Sequence, residues 1–150
     1  MLTRITVPLL AAAVIIFACG PHAHSGDNAH TAAKKNTGVV STLNVDASAR
    51  SEVRFSLAVQ NGTNKQVELS FPDGRTHDFV VLDESGKEVW RWSSSRLFTQ
   101  SMQNRLLDSR DSVVYDERWH APKGSGKFTV VALLNSRNYP IEKRIDFALP

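Results

Sequence analysis

The stretch FPDGRTHDFVVLDESGKEVWRWSSSRLFTQ, residues 71–100, decides the fold of this chain. Within it, Asp78-Phe79-Val80-Val81-Leu82-Asp83 and Glu88-Val89-Trp90-Arg91-Trp92-Ser93 are two short runs rich in β-branched and aromatic residues. Glu84-Ser85-Gly86-Lys87 lies between them and supplies a glycine-containing turn, so the pattern predicts a β-hairpin. Trp90 and Trp92 stand two apart, which puts both on one side of the strand and makes at least one a core plug. His77-Asp78 reads as a strand entrance, with Asp78 accepting backbone hydrogen bonds.

Period-two alternation continues on both sides of this stretch. In residues 52–60, Val53, Phe55, Leu57 and Val59 fall on one face and polar or small residues on the other, the pattern of a half-buried strand. Asn61-Gly62-Thr63-Asn64 is a turn signal and residues 66–71 alternate again, which predicts a first hairpin between these two strands. Further strands are expected at residues 39–45, 112–119, 128–134 and 142–149, about eight in all. Short strands, turn clusters about every ten residues and no long helical period predict an all-β fold, an immunoglobulin-like antiparallel β-sandwich over residues 38–150. The one long connection is residues 93–111. Phe98, Met102 and Leu106 recur there every four residues, which predicts a short helix or a packed loop.

The amino terminus reads as a targeting segment. Residues 1–18 carry one cation, Arg4, then an uncharged apolar run from Val7 to Ala18 that is too short to span a bilayer. Ile16-Phe17-Ala18-Cys19 resembles the bacterial lipobox. That resemblance implies cleavage before Cys19 and its lipidation, and hence a cell-envelope location as a membrane-anchored lipoprotein. Gly20 after the cysteine, with no Asp, points to the outer membrane if the host has two. Residues 19–37, rich in His, Ala, Asn, Lys and Ser, read as a lipidated flexible tether. Cys19 is the chain's one cysteine, so no internal disulfide is possible.

Composition and motifs exclude several function classes. The formal net charge of +3 on 150 residues argues for neither a nucleic-acid surface nor an electrostatic membrane patch. His77, Asp78, Ser93 and His120 supply the letters of a hydrolytic triad, but no Gly-x-Ser-x-Gly elbow sets a nucleophile against a base, so no catalytic residue is expected. His22, His24 and His30 match no metal-ligand spacing, and no phosphate loop or dinucleotide fingerprint occurs; neither cofactor nor metal is expected. Asn61-Gly62-Thr63 fits a glycosylation sequon and reads here as a turn.

The block Asn61…Lys65…Phe71…Gly74-Arg75…Asp78-Phe79-Val80-Val81…Asp83…Gly86…Glu88-Val89-Trp90-Arg91-Trp92-Ser93…Phe98-Thr99-Gln100 resembles the intracellular proteinase inhibitor (BsuPI) family. The resemblance spans roughly residues 53–134. It implies an immunoglobulin-like sandwich and inhibition of subtilisin-like serine proteinases. The chain departs from the family where Asp108-Ser109-Arg110-Asp111 replaces a Pro-Gly-type turn.

A substrate-like inhibitor must offer a rigid extended loop whose anchor side chain fills the enzyme's specificity pocket. Two loops are candidates: residues 95–99, with Arg96, Leu97 and Phe98, and the Gly-rich turn at residues 121–126, with Lys123. Neither can be braced by a disulfide. A serine proteinase or another envelope protein is the expected partner. The alternative function is a non-enzymatic adaptor that recognises a polypeptide or glycan through Trp119, His120 and Tyr139.

Overall fold

The computed structural model describes residues 38–49, 51–122 and 125–150. Among these residues are nine antiparallel strands: β1 (Val39–Ala49), β2 (Glu52–Asn61), β3 (Val67–Phe71), β4 (His77–Asp83), β5 (Glu88–Arg91), β6 (Gln103–Leu107), β7 (Ser112–Trp119), β8 (Gly126–Leu134) and β9 (Ile141–Leu149). Among the described residues the one helical segment is a single 3-10 turn, Trp92–Ser95.

The strands form a three-stranded sheet in the order β1-β2-β7, a four-stranded sheet β5-β4-β8-β9 and a two-stranded pair β3-β6. The two larger sheets pack face to face. Val53, Phe55, Leu57 and Val59, alternating along β2, are all buried, as the period-two pattern requires. Phe55 lies 5.8 Å from Phe79 of β4 and 5.9 Å from Phe147 of β9, ring centre to ring centre. Val81, Val130, Ala132 and Leu134 complete the opposing face. Each such buried side chain contributes roughly 1.5–3 kcal/mol of apolar transfer, which is what joins the sheets.

The expected β4–β5 hairpin is present. Val81 faces Trp90 and Val80 faces Arg91 across it. Gly86 takes φ +81, a conformation open to glycine, and the Asp83 N–H donates to Lys87 O at 2.9 Å to close the turn.

Three expectations are corrected. The strands at β2 and β3 do not form a hairpin, because β1 and β7 already occupy both edges of β2. Asn61 ends β2 and turns the chain towards β3, which pairs with β6. Its buried Nδ2 donates to the carbonyls of Lys65, Leu107 and Asp108, while its Oδ1 accepts from the Thr63 N–H and hydroxyl. The four-residue spacing of Phe98, Met102 and Leu106 produces no helix. Residues 103–107 are extended and pair with β3, burying Leu107 and leaving Met102 and Leu106 exposed. This β6 is also the ninth strand, one more than the eight expected. It forms because β3 needs a partner along one edge; segment 136–138 serves the other, Arg137 N–H donating to Ser70 O and Asn138 Nδ2 to Glu68 O.

Candidate functional site

The connection after β5 leaves the sheet at the 3-10 turn and passes through Arg96, Leu97, Phe98 and Thr99 before reaching β6. Its first fastening is Asp78. As the second residue of β4 it is 1% exposed, and its carboxylate gathers four donors. Oδ1 accepts from the N–H groups of Phe79 (3.0 Å) and Ser93 (3.1 Å). Oδ2 accepts from the Ser93 hydroxyl (2.6 Å) and from Arg91 Nη1 (3.1 Å), and Arg91 is in turn held by both oxygens of Glu88. A buried carboxylate is tolerated only with such partners. Here they lock the turn that launches the loop.

The second fastening is an aromatic stack. Trp92 is buried, and its ring lies 4.3 Å from the ring of His77, whose other neighbour is Tyr115 at 4.4 Å. The Arg96 guanidinium sits 4.4 Å above the Trp92 ring, a cation–π contact, and Nη2 lies 3.5 Å from Glu117 Oε2. Glu117 Oε1 lies 3.3 Å from His77 Nε2, and Thr76 Oγ1 is 3.1 Å from His77 Nδ1. Both contacts are satisfied by a neutral imidazole that donates from Nε2 and accepts at Nδ1. Burial pushes the His77 imidazole below its ordinary value of 6.5, although Glu117 and Asp78 pull the other way. Burial likewise raises the Tyr115 phenol.

The third fastening closes the far end. Gly74 N–H donates to Thr99 O at 2.9 Å, and a Cβ at position 74 would stand 2.7 Å from Thr99 Oγ1 and 3.1 Å from Thr99 N, so only glycine allows this approach. Phe98 packs half-buried against Trp92, ring centres 5.5 Å apart. Between these fixed points Arg96 has extended backbone, φ −122 and ψ 151, and Leu97 is fully exposed. A cleft of about 380 Å³ runs beside the loop, lined by Asp73, Arg75, Ser93, Arg96, Leu97, Phe98 and Gln100.

The fold thus brings Arg96, Leu97 and Phe98 together on one braced loop, whereas Lys123 lies outside the described residues, as do Cys19 and the histidines of the tether. The bracing involves no disulfide: buried polar contacts and ring stacking replace it. Sequence reasoning foresaw that Asp78 would accept backbone hydrogen bonds, but not that its partner would be Ser93; it gave Gly74 no role in the loop and did not single out Tyr115 or Glu117. Only the Gly74-Arg75 pair carried any signal. Trp119 and Tyr139 do not form a recognition face. Trp119 is 3% exposed and packs against Phe128 at 5.2 Å, and Tyr139 rests against the core, because both fall on inward positions at the ends of their segments; His120 alone is exposed.

Comparison with known proteins adds a family. Residues 41–139 match the BsuPI family, described as intracellular proteinase inhibitor. No curated protein sequence matches the chain. Among solved structures, a glycosyl hydrolase family 2 member from Bacteroides cellulosilyticus is similar at 16% identity and a TM-score of 0.43, over 77% of this chain and 15% of that one. The ApaA protein from Bordetella pertussis is similar at 15% identity and a TM-score of 0.38, over 74% of this chain and 89% of that one. β-Glucosidase 3B from Thermotoga neapolitana is similar at 14% identity and a TM-score of 0.40, over 73% of this chain and 15% of that one.

Proposed function

This chain belongs to the BsuPI family of intracellular proteinase inhibitors, and on that premise we propose that it works by binding, blocking a subtilisin-like serine proteinase with the loop at residues 95–99. The observation that carries the reading is the bracing of that loop. Its two ends are fastened through Asp78 and Gly74, its backbone is extended at Arg96, and one apolar side chain is left fully in solvent. A loop already ordered in its bound shape loses little entropy on docking, which is how an inhibitor gains affinity from a small contact. The connectivity that presents the loop is, in this reading, an immunoglobulin-like sandwich. Residues 1–18 are a signal peptide, and Cys19 carries the lipid that anchors the protein in the cell envelope through the 19–37 tether.

Titration of the purified protein against subtilisin-like and chymotrypsin-like proteinases tests the inhibitory part, following residual activity and the integrity of the chain. Stoichiometric inhibition by an intact protein is expected; full residual activity at saturating protein refutes it. The anchor is tested separately. Cys19→Ser should release the protein from membranes or leave it unprocessed, and normal processing with membrane retention refutes lipidation.

A further inference from the structure

We infer that Leu97 is the side chain that enters the proteinase's primary pocket, and that this pocket is deep and apolar; the inference rests on the inhibitory reading above. A lone exposed leucine is ordinary on a protein surface. The difference here lies in its neighbours. Arg96, the residue that would suit an acidic pocket, is held back with its guanidinium 4.4 Å over Trp92 and 3.5 Å from Glu117. Phe98, the other large apolar side chain of the loop, is turned inward onto Trp92. In an extended segment successive side chains point to opposite sides, so withdrawing residues 96 and 98 to the body leaves residue 97 facing out. Its exposure of 101% shows that none of the described residues covers it.

The fastenings serve the same end. Ser93 and Thr99 are tied to β4 and to the turn at Gly74, so pressing on Leu97 meets a loop supported on both sides. The extended backbone at Arg96 suits pairing with an enzyme's edge strand, which leaves specificity to the side chain that projects from it. An apolar anchor in a desolvated pocket supplies much of the affinity of such an interface.

The test measures inhibition constants of the purified protein and three variants against two serine proteinases, one with a large apolar primary pocket and one with an acidic one. Leu97→Asp should weaken inhibition of the first enzyme by about 100-fold, the loss typical of a central anchor. Leu97→Lys should lose the first enzyme and gain the second, and Lys143→Ala, at an exposed position of β9 outside the loop, should change inhibition of the first by less than about twofold. Thermal melting of each variant checks folding, which a fully exposed position should leave unaltered. If folded Leu97→Asp inhibits as well as the parent, Leu97 is not the anchor, although the inhibitory reading stands. A wild-type protein that inhibits neither enzyme overturns that reading and this inference together.

Discussion

Two aspartates five residues apart on β4 each hold a connection, and they do so by opposite means. Asp83 is the half-buried last residue of β4, and its Oδ1 accepts from the Ser85 N–H and hydroxyl and from the Lys87 N–H, all within four residues. Asp78 is 1% exposed, and its partners Arg91 and Ser93 lie thirteen and fifteen residues away. The first is a local device that any hairpin could use, because the chain need only turn for its donors to arrive. The second exists only once β4, β5 and the 3-10 turn are assembled, and its buried carboxylate has no water to fall back on. Local anchors shape a turn; distant, buried ones hold a loop open for use.

The sharpest way to break the comparison is Asp78→Ala, which strands the Ser93 N–H and hydroxyl and leaves Arg91 to Glu88 alone. A loss of about 2–4 kcal/mol is expected, measured by denaturant unfolding, together with faster proteolysis of residues 93–100. A loss no greater than that of Asp83→Ala would mean that burial is not what separates the two. Next is Gly74→Ala, whose Cβ would collide with Thr99. It should cost about 1–2 kcal/mol and weaken inhibition more than its stability loss alone explains, since it frees one end of the loop.

Acid should separate the two regions in order. His77 is held below its ordinary 6.5 by burial, and it faces Glu117, Asp78 and Arg96. The unfolded chain therefore binds more protons as pH falls below 6.5, so stability drops from there down to the folded value. His77→Gln should flatten that limb of the stability–pH curve. Asp83 is held below 3.8 by the Ser85 hydroxyl and the Lys87 N–H, so its contribution is present above 3.8 and lost as pH falls through the folded value. Asp83→Ala should give a smaller stability loss than Asp78→Ala, confined to the hairpin, and should leave inhibition unchanged; impaired inhibition would show that the hairpin supports the loop.

The smallest effect is a gain. Arg110 takes φ +64 in the turn between β6 and β7, a conformation that suits glycine better than a side chain. Arg110→Gly relieves that backbone but loses the contact with Asn64, for a net gain of about 0.5 kcal/mol in thermal unfolding.

Much of the fold was legible along the chain. Val53, Phe55, Leu57 and Val59 declared their strand because period two and burial are the same fact in a half-buried sheet. Residues 84–87 declared their turn because Gly86 and Asp83 act within their own neighbourhood. The failures share a cause. β6 was hidden because its four exposed residues carry no alternation, and the apolar spacing of Phe98, Met102 and Leu106 imitated a helical face. The supposed hairpin of β2 and β3 failed because adjacency in sequence does not decide which edge of a strand is free. Trp119 and Tyr139 were candidates for a recognition face, but Trp119 is buried in the core and Tyr139 is half-buried against it.

For the candidate site the division is the same. The chain by itself determined an all-β domain, the hairpin of β4 and β5, the inward alternation of β2 and the short list of loop residues that includes Leu97. Only the tertiary structure decided that Arg96 folds back on Trp92, that Glu117 joins Arg96 to His77, that Gly74 meets Thr99 and that Leu97 is left fully exposed. Period and turn chemistry act over a few bonds and are written in neighbouring residues. The contacts that brace the loop join β4, β7 and the 3-10 turn, and they exist only after the burial of the core has paired segments that are distant in sequence.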